Sequence, residues 1–192
     1  MANATNERCY NLPVTCGVSQ LMNITVLNEQ AYQVGSGDNP RHYKNEIVLD
    51  DEYRPSSIHG VLIDGMPLVV FAASGGATGV HENSLVSVAE RHFLAVGPYV
   101  VCFGVDPFIL HWVRKVDEAT CFGIFYSPEL ASIICHGELS ISRLLKEGNI
   151  AWSFFGEDIF TGPITLAADT VTAQDFNGRS YKVSLRDGRE VG

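Results

Sequence analysis

The sequence predicts an all-β protein, built as a propeller-like array of about four small antiparallel sheets. Two observations support this class. A segment of about forty residues recurs along the chain, and each copy consists of short alternating strands separated by turns. Several short strands in a repeat of this length are typical of sheets that bury their faces against their neighbours. We therefore expect residues 1–192 to form one domain with a repetitive core.

The repeat is clearest between residues 92 and 166. A shift of about forty residues places Trp112 on Trp152, the two tryptophans of the chain, and an acidic pair follows each of them. A further copy in the last residues is cut short, and a weaker copy without tryptophan can be aligned from about residue 46 to residue 89. Residues 46–192 thus predict about four repeats. Residues 1–45 would be an N-terminal arm, in which residues 21–34 could donate a strand that closes the array into a ring.

Turn residues recur at the same spacing. Asp-Gly steps supply the positive φ angles of a tight hairpin, so Asp64-Gly65 predicts a hairpin between two apolar strands. Glu147-Gly148 and Asp187-Gly188 recur in later copies. Within the middle copy the predicted strands are 132–136, 138–145, 149–155 and 159–166. The tryptophan would lie on the third strand and pack between adjacent sheets.

Two segments before residue 80 need separate interpretation: an alternating apolar segment and a glycine-rich segment. Met22, Ile24 and Val26 alternate as a strand does, although Leu21–Ala31 also fits a short helix; the β-branched residues favour the strand. Residues 74–79 are rich in glycine but lack the lysine and spacing of a phosphate-binding loop. They predict a long hairpin loop.

The run Gly148-Asn-Ile-Ala-Trp152, and Asp175-Phe-Asn-Gly178 followed by Tyr181, resemble the repeats of quinoprotein-type and WD-type β-propeller proteins. In those repeats a turn glycine precedes an apolar strand that carries a tryptophan. The resemblance covers residues 92–192 and, more weakly, residues 46–91. It implies a propeller-like architecture and no activity, because the cofactor and calcium ligands of the quinoprotein enzymes have no counterparts here. A β-sandwich or an open row of sheets is the alternative architecture.

Composition excludes several classes of function. The net charge of −9 argues against nucleic-acid binding, which depends on clustered Lys and Arg. The sequence has neither a signal-peptide pattern nor an apolar run near twenty residues, so we expect a soluble, cytoplasmic protein that does not bind membranes. The five cysteines lack a disulfide-framework spacing and predict reduced thiols, although Cys9 and Cys16 are close enough to pair in an oxidising compartment.

The sequence predicts no catalytic residue, no metal site and no cofactor. Its six histidines show no metal-ligand spacing, which leaves only ligands that converge from different repeats. Cys135 and His136 cannot act as nucleophile and base, because adjacent residues of a strand point to opposite faces.

The repeated acidic pairs are the candidate binding residues: Asp117 and Glu118, then Glu157 and Asp158. We call these four residues the acidic rim, since equivalent loops of consecutive sheets emerge side by side. Asp and Glu are also ordinary turn residues, which is the structural alternative. The sequence thus favours a non-enzymatic binding module that engages a basic protein partner through loops or the acidic rim. A small enzyme or ligand-binding protein with His136 or Asp158 in a central pocket is the alternative, and an unpaired edge strand would allow oligomerisation.

Overall fold

A computed structural model of the chain describes residues 22–51 and 54–191. Within these ranges the protein has no helix and consists of strands in four separate sheets. The predicted all-β array of about four sheets is therefore confirmed. No helix of the described chain is long and apolar enough to span a membrane. Cys9 and Cys16 lie outside the described residues.

The first sheet has the strand order β1-β3-β4-β2, with β2 parallel to β4. Its strands are β1 (Ile24–Asn28), β2 (Asn45–Val48), β3 (Ser57–Ile63) and β4 (Met66–Ala73). The predicted hairpin joins β3 to β4, and both of its turn residues, Asp64 and Gly65, have positive φ. The strand predicted within residues 21–34 exists as β1, but it pairs with β3. It therefore enlarges the first sheet, and the expectation that it closes a ring onto the last copy is wrong.

The second and third sheets are antiparallel meanders in sequence order. The second contains β5 (Leu85–Val88), β6 (Arg91–Val96), β7 (Tyr99–Val105) and β8 (Phe108–Lys115). The third contains β9 (Cys121–Ser127), β10 (Ser132–Gly137), β11 (Ile141–Leu145) and β12 (Ile150–Phe154). In each, the register shifts one residue before the tryptophan, at His111 and at Ala151. The sequence repeat is thus repeated as structure, including a bulge that bends the outer strand.

The fourth sheet contains β13 (Thr165–Leu166), β14 (Thr170–Gln174) and β15 (Ser180–Ser184). Beyond β15, residues 189–191 pair with its outer edge, with Val191 N donating to Lys182 O at 2.7 Å. The corresponding outer strands β8 and β12 have no further strand beside them in the described chain. These are the edges that the predicted oligomerisation would use.

The predicted grouping of strands into sheets is shifted by one strand. Segment 159–166 was expected in the third sheet, but Phe160 bridges Asp175 and β13 pairs with β14 in the fourth. The third sheet begins instead with β9. Trp112 and Trp152 consequently lie on the fourth, outer strand of their sheets and not on the third. The period of a repeat does not reveal at which turn the chain passes to the next sheet, because every turn recurs with the same period. For the same reason residues 74–79 connect two sheets instead of closing a hairpin.

Three apolar clusters form the core, each between two consecutive sheets. Phe71 of the first sheet and Phe103 of the second meet in one cluster. Cys102 and Ile133 belong to the cluster between the second and third sheets, and Ile134 and Tyr181 to the one between the third and fourth. No apolar cluster of the described residues joins the first sheet to the fourth. The sheets therefore form an open row, which is the alternative architecture, and not a closed ring.

The outer faces of the first and fourth sheets, at the two ends of the row, are shielded in different ways. On the first sheet, residues of the arm cover the outer face, where Tyr32 and Tyr43 pack with Leu62 and Val70. On the fourth sheet, buried and exposed side chains alternate along β14 and β15. Val171 and Tyr181 are buried, while Thr172 and Lys182 are exposed. A covered face at one end and a polar face at the other leave the row without an exposed apolar face that would require ring closure.

The two tryptophans have equivalent environments, as the repeat predicts. The Trp112 indole lies on Gly148, where an added Cβ would be 2.8 Å from the ring, and its Nε1 donates to Lys146 O at 3.0 Å. The Trp152 indole lies on Gly188 at 2.7 Å, and its Nε1 donates to Leu185 O at 3.1 Å. Both rings are half-buried. Each therefore joins its own sheet to a turn of the next sheet.

Candidate functional site

The row has two rims, because consecutive turns of a meander lie at opposite ends of its strands. The hairpin rim carries residues 89–90, 106–107, 128–131 and 146–149. The connection rim carries residues 116–120, 138–140, 155–160 and 175–179. All four residues of the acidic rim lie on the connection rim. Backbone hydrogen bonds from Glu138 N to Thr120 O at 2.9 Å and from Phe160 N to Glu138 O at 2.7 Å link its loops.

Asp117 is a structural residue. Its side chain is only 4% exposed, and its two oxygens accept hydrogen bonds from two loops. Oδ1 accepts from Ala119 N at 2.8 Å, and Oδ2 accepts from Leu139 N at 3.0 Å and Ser140 N at 2.9 Å. A Cβ on Gly137 would lie 2.2 Å from Oδ2, so this carboxylate needs a glycine opposite it. Asp117 offers no exposed charge to a partner, in contrast to the expectation for the acidic rim.

Glu118, the next residue, is exposed and forms an ion pair with Lys115, with Oε2 at 2.5 Å from Nζ. Exposed pairs of this kind contribute little to stability. The pair nevertheless cancels much of the local charge. The first acidic pair of the acidic rim is therefore one buried acceptor and one neutralised carboxylate.

The second acidic pair lies where two loops meet, residues 155–160 and 175–179, which we call the loop junction. Asp158 Oδ2 accepts from Asn177 Nδ2 at 2.7 Å, and its Oδ1 accepts from Ile159 N at 2.8 Å. Glu157 forms an ion pair with Arg179. Phe176 N donates to Ile159 O at 2.8 Å. These contacts fix the two loops relative to each other.

A buried hydroxyl connects the loop junction to the core. Tyr181 Oη accepts from Glu157 N at 2.9 Å and donates to Asp175 Oδ2 at 2.9 Å. Burial raises the pKa of Tyr181, and Asp175 acts in the same direction, so the hydroxyl keeps its proton and donates it to the carboxylate. The Arg179 guanidinium lies over the Tyr181 ring, 4.8 Å from its centroid. Sequence reasoning missed these three residues, although the 175–181 run carried the family resemblance.

Two phenylalanines are strongly exposed at the loop junction. Phe155 is 66% exposed and Phe176 is 69% exposed, and each lies within two residues of Glu157 or Asn177 along the chain. Leu139, from the adjoining loop, is 37% exposed. Exposed large apolar side chains on loops that also carry carboxylates are typical of surfaces that bind other proteins.

The hairpin rim carries a groove of about 1190 Å³. Its walls come from the first three sheets and include Ile24, Leu85, Ile109, Tyr126 and Ile133. No sequence pattern predicted this groove, because its residues come from separate repeats and have no common spacing. A second cleft, of about 240 Å³, is lined by Met66 and Leu68 of the first sheet.

Several polar groups lie in the groove. His92 is 6% exposed, and its Nδ1 lies 2.8 Å from Ser87 Oγ on the adjacent strand. Burial lowers the pKa of His92, so its ring is neutral at neutral pH. Glu90 and Asp106 also line the groove.

The alternative pocket does not form around the residues expected for it. His136 is buried, and neither it nor Asp158 lines either cleft. Burial lowers the pKa of His136 to about 4. Within the described ranges no three His, Cys, Asp or Glu side chains are arranged to hold a metal ion. Cys102, Cys121 and Cys135 are buried free thiols, as predicted from their apolar surroundings.

Comparison with known proteins adds no homologue: the sequence matches no family model, and no curated protein is significantly similar to it.

Proposed function

We propose that this protein is a non-enzymatic binding module that engages a basic protein partner through the loop junction. The observation that carries the proposal is the exposure of Phe155 and Phe176 beside the carboxylates of Glu157 and Asp158. Within the acidic rim, Asp158 is the carboxylate that is neither buried nor in an ion pair. Asp117 is buried, and Glu118 and Glu157 are paired with Lys115 and Arg179.

The exposed rings would supply most of the affinity. Moving a phenylalanine side chain from water into an interface gains about 2 kcal/mol, and aromatic anchors near the centre of an interface dominate its energetics. In the free protein both rings contact water over about two thirds of their surface. A partner that covers them therefore removes a large apolar area from solvent.

Charge supports a cationic partner. The chain carries a net charge of −9, and Glu138, Glu157 and Asp158 all belong to the same rim. Arg179 illustrates the chemistry that this surface accommodates, since its guanidinium pairs with Glu157 and lies over an aromatic ring. A partner's Arg or Lys would find the same kinds of groups in the remaining carboxylates and phenylalanine faces.

The loop junction is also organised before binding. Asn177 holds Asp158, and the Tyr181 hydroxyl joins the two loops through Glu157 N and Asp175. Binding to loops that are already ordered costs less conformational entropy than binding to loops that must first be fixed.

The test uses synthetic peptides of one length and one apolar content, whose net charge is strongly positive, zero or strongly negative. Fluorescence anisotropy should show tightest binding for the positive peptide. Phe155→Ala combined with Phe176→Ala should weaken that binding by about tenfold or more, as expected for loss of aromatic anchors. Met66→Ala is the matched control, because Met66 is equally exposed, at 66%, but belongs to the first sheet.

The salt dependence separates charge from apolar contact. Asp158→Asn should flatten the decrease of the association rate with added salt. Its melting temperature should fall slightly, because one hydrogen bond to Asn177 is lost. Equal binding of the three peptides, or the same loss in Met66→Ala as in the phenylalanine variant, would contradict the proposal.

A further inference from the structure

The groove on the hairpin rim contains a serine and a histidine that are hydrogen-bonded to each other. Ser87 Oγ lies 2.8 Å from His92 Nδ1, and both residues line the groove. A hydroxyl and a base within this distance are the pair that acyl-transfer enzymes use to activate a nucleophile. The two residues become neighbours only because the chain turns back between them.

The hairpin between β5 and β6 determines this arrangement. Val88 and Arg91 flank its two-residue turn, and Ser87 and His92 form the next pair along the ladder. Pairs alternate in an antiparallel ladder, so the pair after the one that closes a tight turn has no backbone hydrogen bonds between its members and has closer side chains. This closeness brings the hydroxyl into contact with the imidazole.

His92 is suited to accept the serine proton. The residue is 6% exposed, and burial lowers its pKa, so the ring is neutral at neutral pH. The Phe103 ring packs beside it, with the two ring centroids 5.6 Å apart, and restricts the orientation of the imidazole. In the tautomer that carries its proton on Nε2, the ring presents the lone pair of Nδ1 to Ser87 Oγ.

The serine is accessible to a substrate. Ser87 is exposed, and β5 forms an edge of the second sheet. Because Ser87 and His92 exchange no backbone hydrogen bonds, the N–H of Ser87 points away from β6. It faces the outer edge of β5, where no strand of residues 22–51 or 54–191 pairs. A backbone N–H beside the attacking oxygen can stabilise the negative charge of a tetrahedral intermediate.

Apolar side chains beside the pair determine which acyl group fits. Leu85 lies on the same face of β5 as Ser87, two residues away, and Ile24 and Val105 line the groove with it. These three side chains pack against the apolar cluster between the first and second sheets. An aliphatic acyl chain can lie against them, and the groove of about 1190 Å³ has room for a small ester.

We propose that this groove hydrolyses small esters of short aliphatic acids, with Ser87 as the nucleophile and His92 as the general base. Ser87 Oγ attacks the acyl carbon while its proton moves to His92 Nδ1. The bond between the acyl carbon and the alcohol oxygen then breaks, and the alcohol leaves with that proton. Water next attacks the acyl-serine and gives a proton to Nδ1. The bond between Oγ and the acyl carbon breaks, Oγ recovers the proton, and the acid is released.

This activity is independent of the loop junction, which lies on the opposite rim. The proposed non-enzymatic role concerns the loop junction alone, and either site can fail in experiment without the other.

The first test is hydrolysis of p-nitrophenyl butyrate by the full chain, followed by the absorbance of p-nitrophenolate. Wild type should show saturation, and Ser87→Ala should lower kcat/KM by about 100-fold or more, with a comparable loss in His92→Gln. Ser153→Ala is the matched control, because Ser153 is also an exposed strand serine but is hydrogen-bonded to Ser142, at 2.9 Å. It should hydrolyse the ester at the wild-type rate.

Covalent labelling separates loss of the nucleophile from loss of the fold. Diethyl p-nitrophenyl phosphate transfers its diethylphosphoryl group to an activated serine oxygen and releases p-nitrophenolate. Mass spectrometry of a digest should locate this group on Ser87 in wild type and in Ser153→Ala, but not in His92→Gln. Circular dichroism verifies that each variant is folded. The proposal is overturned if wild type hydrolyses the ester no faster than Ser87→Ala, or if the label lies on another residue or on none.

Discussion

Acidification should destabilise the protein through His136. The side chain lies on β10 of the third sheet and is 8% exposed. Its Nε2 has no partner in the described chain, and the Phe122 ring lies beside it. Burial lowers its pKa from 6.5 to about 4, although the nearby Asp117 acts in the opposite direction. The unfolded chain therefore binds a proton on this residue at a higher pH than the folded protein does.

The direction and the size of the change in stability follow from this difference in pKa between the unfolded and the folded protein. Between pH 6.5 and pH 4 the unfolded state holds more protons, so the free energy of unfolding decreases as the pH falls. At 1.36 kcal/mol for each pKa unit, His136 removes about 3 kcal/mol of stability across this window. Burial also lowers the pKa of His59 and of His92, so both add to the loss of stability as the pH falls below 6.5.

Urea unfolding monitored by tryptophan fluorescence can measure this effect at several pH values. His136→Gln stays uncharged throughout, so the stability difference between wild type and variant should change by about 3 kcal/mol from pH 7 to pH 4. If the stability of His136→Gln varies with pH in parallel with that of wild type, the folded protein binds the proton as easily as the unfolded chain, and burial does not lower the pKa of His136.

Three further changes test the repeat. Trp152→Ala should lower the free energy of unfolding by about 3 kcal/mol in urea titrations, and a loss below about 1 kcal/mol would contradict a packing role. Gly188→Ala should cost clearly more than Gly178→Ala, because both have positive φ but only Gly188 faces an indole ring; equal losses would show that the ring moves aside freely. Asp117→Asn should cost about 2 kcal/mol through lost hydrogen bonds, whereas Glu118→Gln should change thermal stability little in calorimetry; the reverse order would refute the structural role of Asp117.

The period of the sequence was sufficient to predict the fold class, because the tryptophans, turn glycines and alternating strands all recur together. It could not predict the strand grouping or the use of β1 in the first sheet, since both depend on which edges are free in three dimensions. Trp112 and Trp152 were correctly expected between sheets. Only the strand that carries them was misplaced.

The acidic pairs show where a repeat misleads about a site. Asp117 and Glu157 occupy the same repeat position, yet one is buried against Gly137 and the other pairs with Arg179 on the surface. The difference comes from their neighbours in space, which have no fixed distance along the chain. For the same reason the groove, with walls from three sheets, gave no signal in the sequence.

An open row of sheets can gain or lose a sheet more easily than a closed ring can. In a ring, every sheet must turn by a fixed fraction of a circle, so adding or removing one copy strains all the others. In this row each sheet packs only on its neighbours, and the special surfaces are confined to the covered first sheet and the polar fourth sheet. Stability of such an array is a sum of unit and nearest-neighbour contributions. A further forty-residue copy placed between the second and third sheets would meet the same tryptophan-on-glycine contact on both sides, so the number of sheets is a variable that recombination can change one unit at a time.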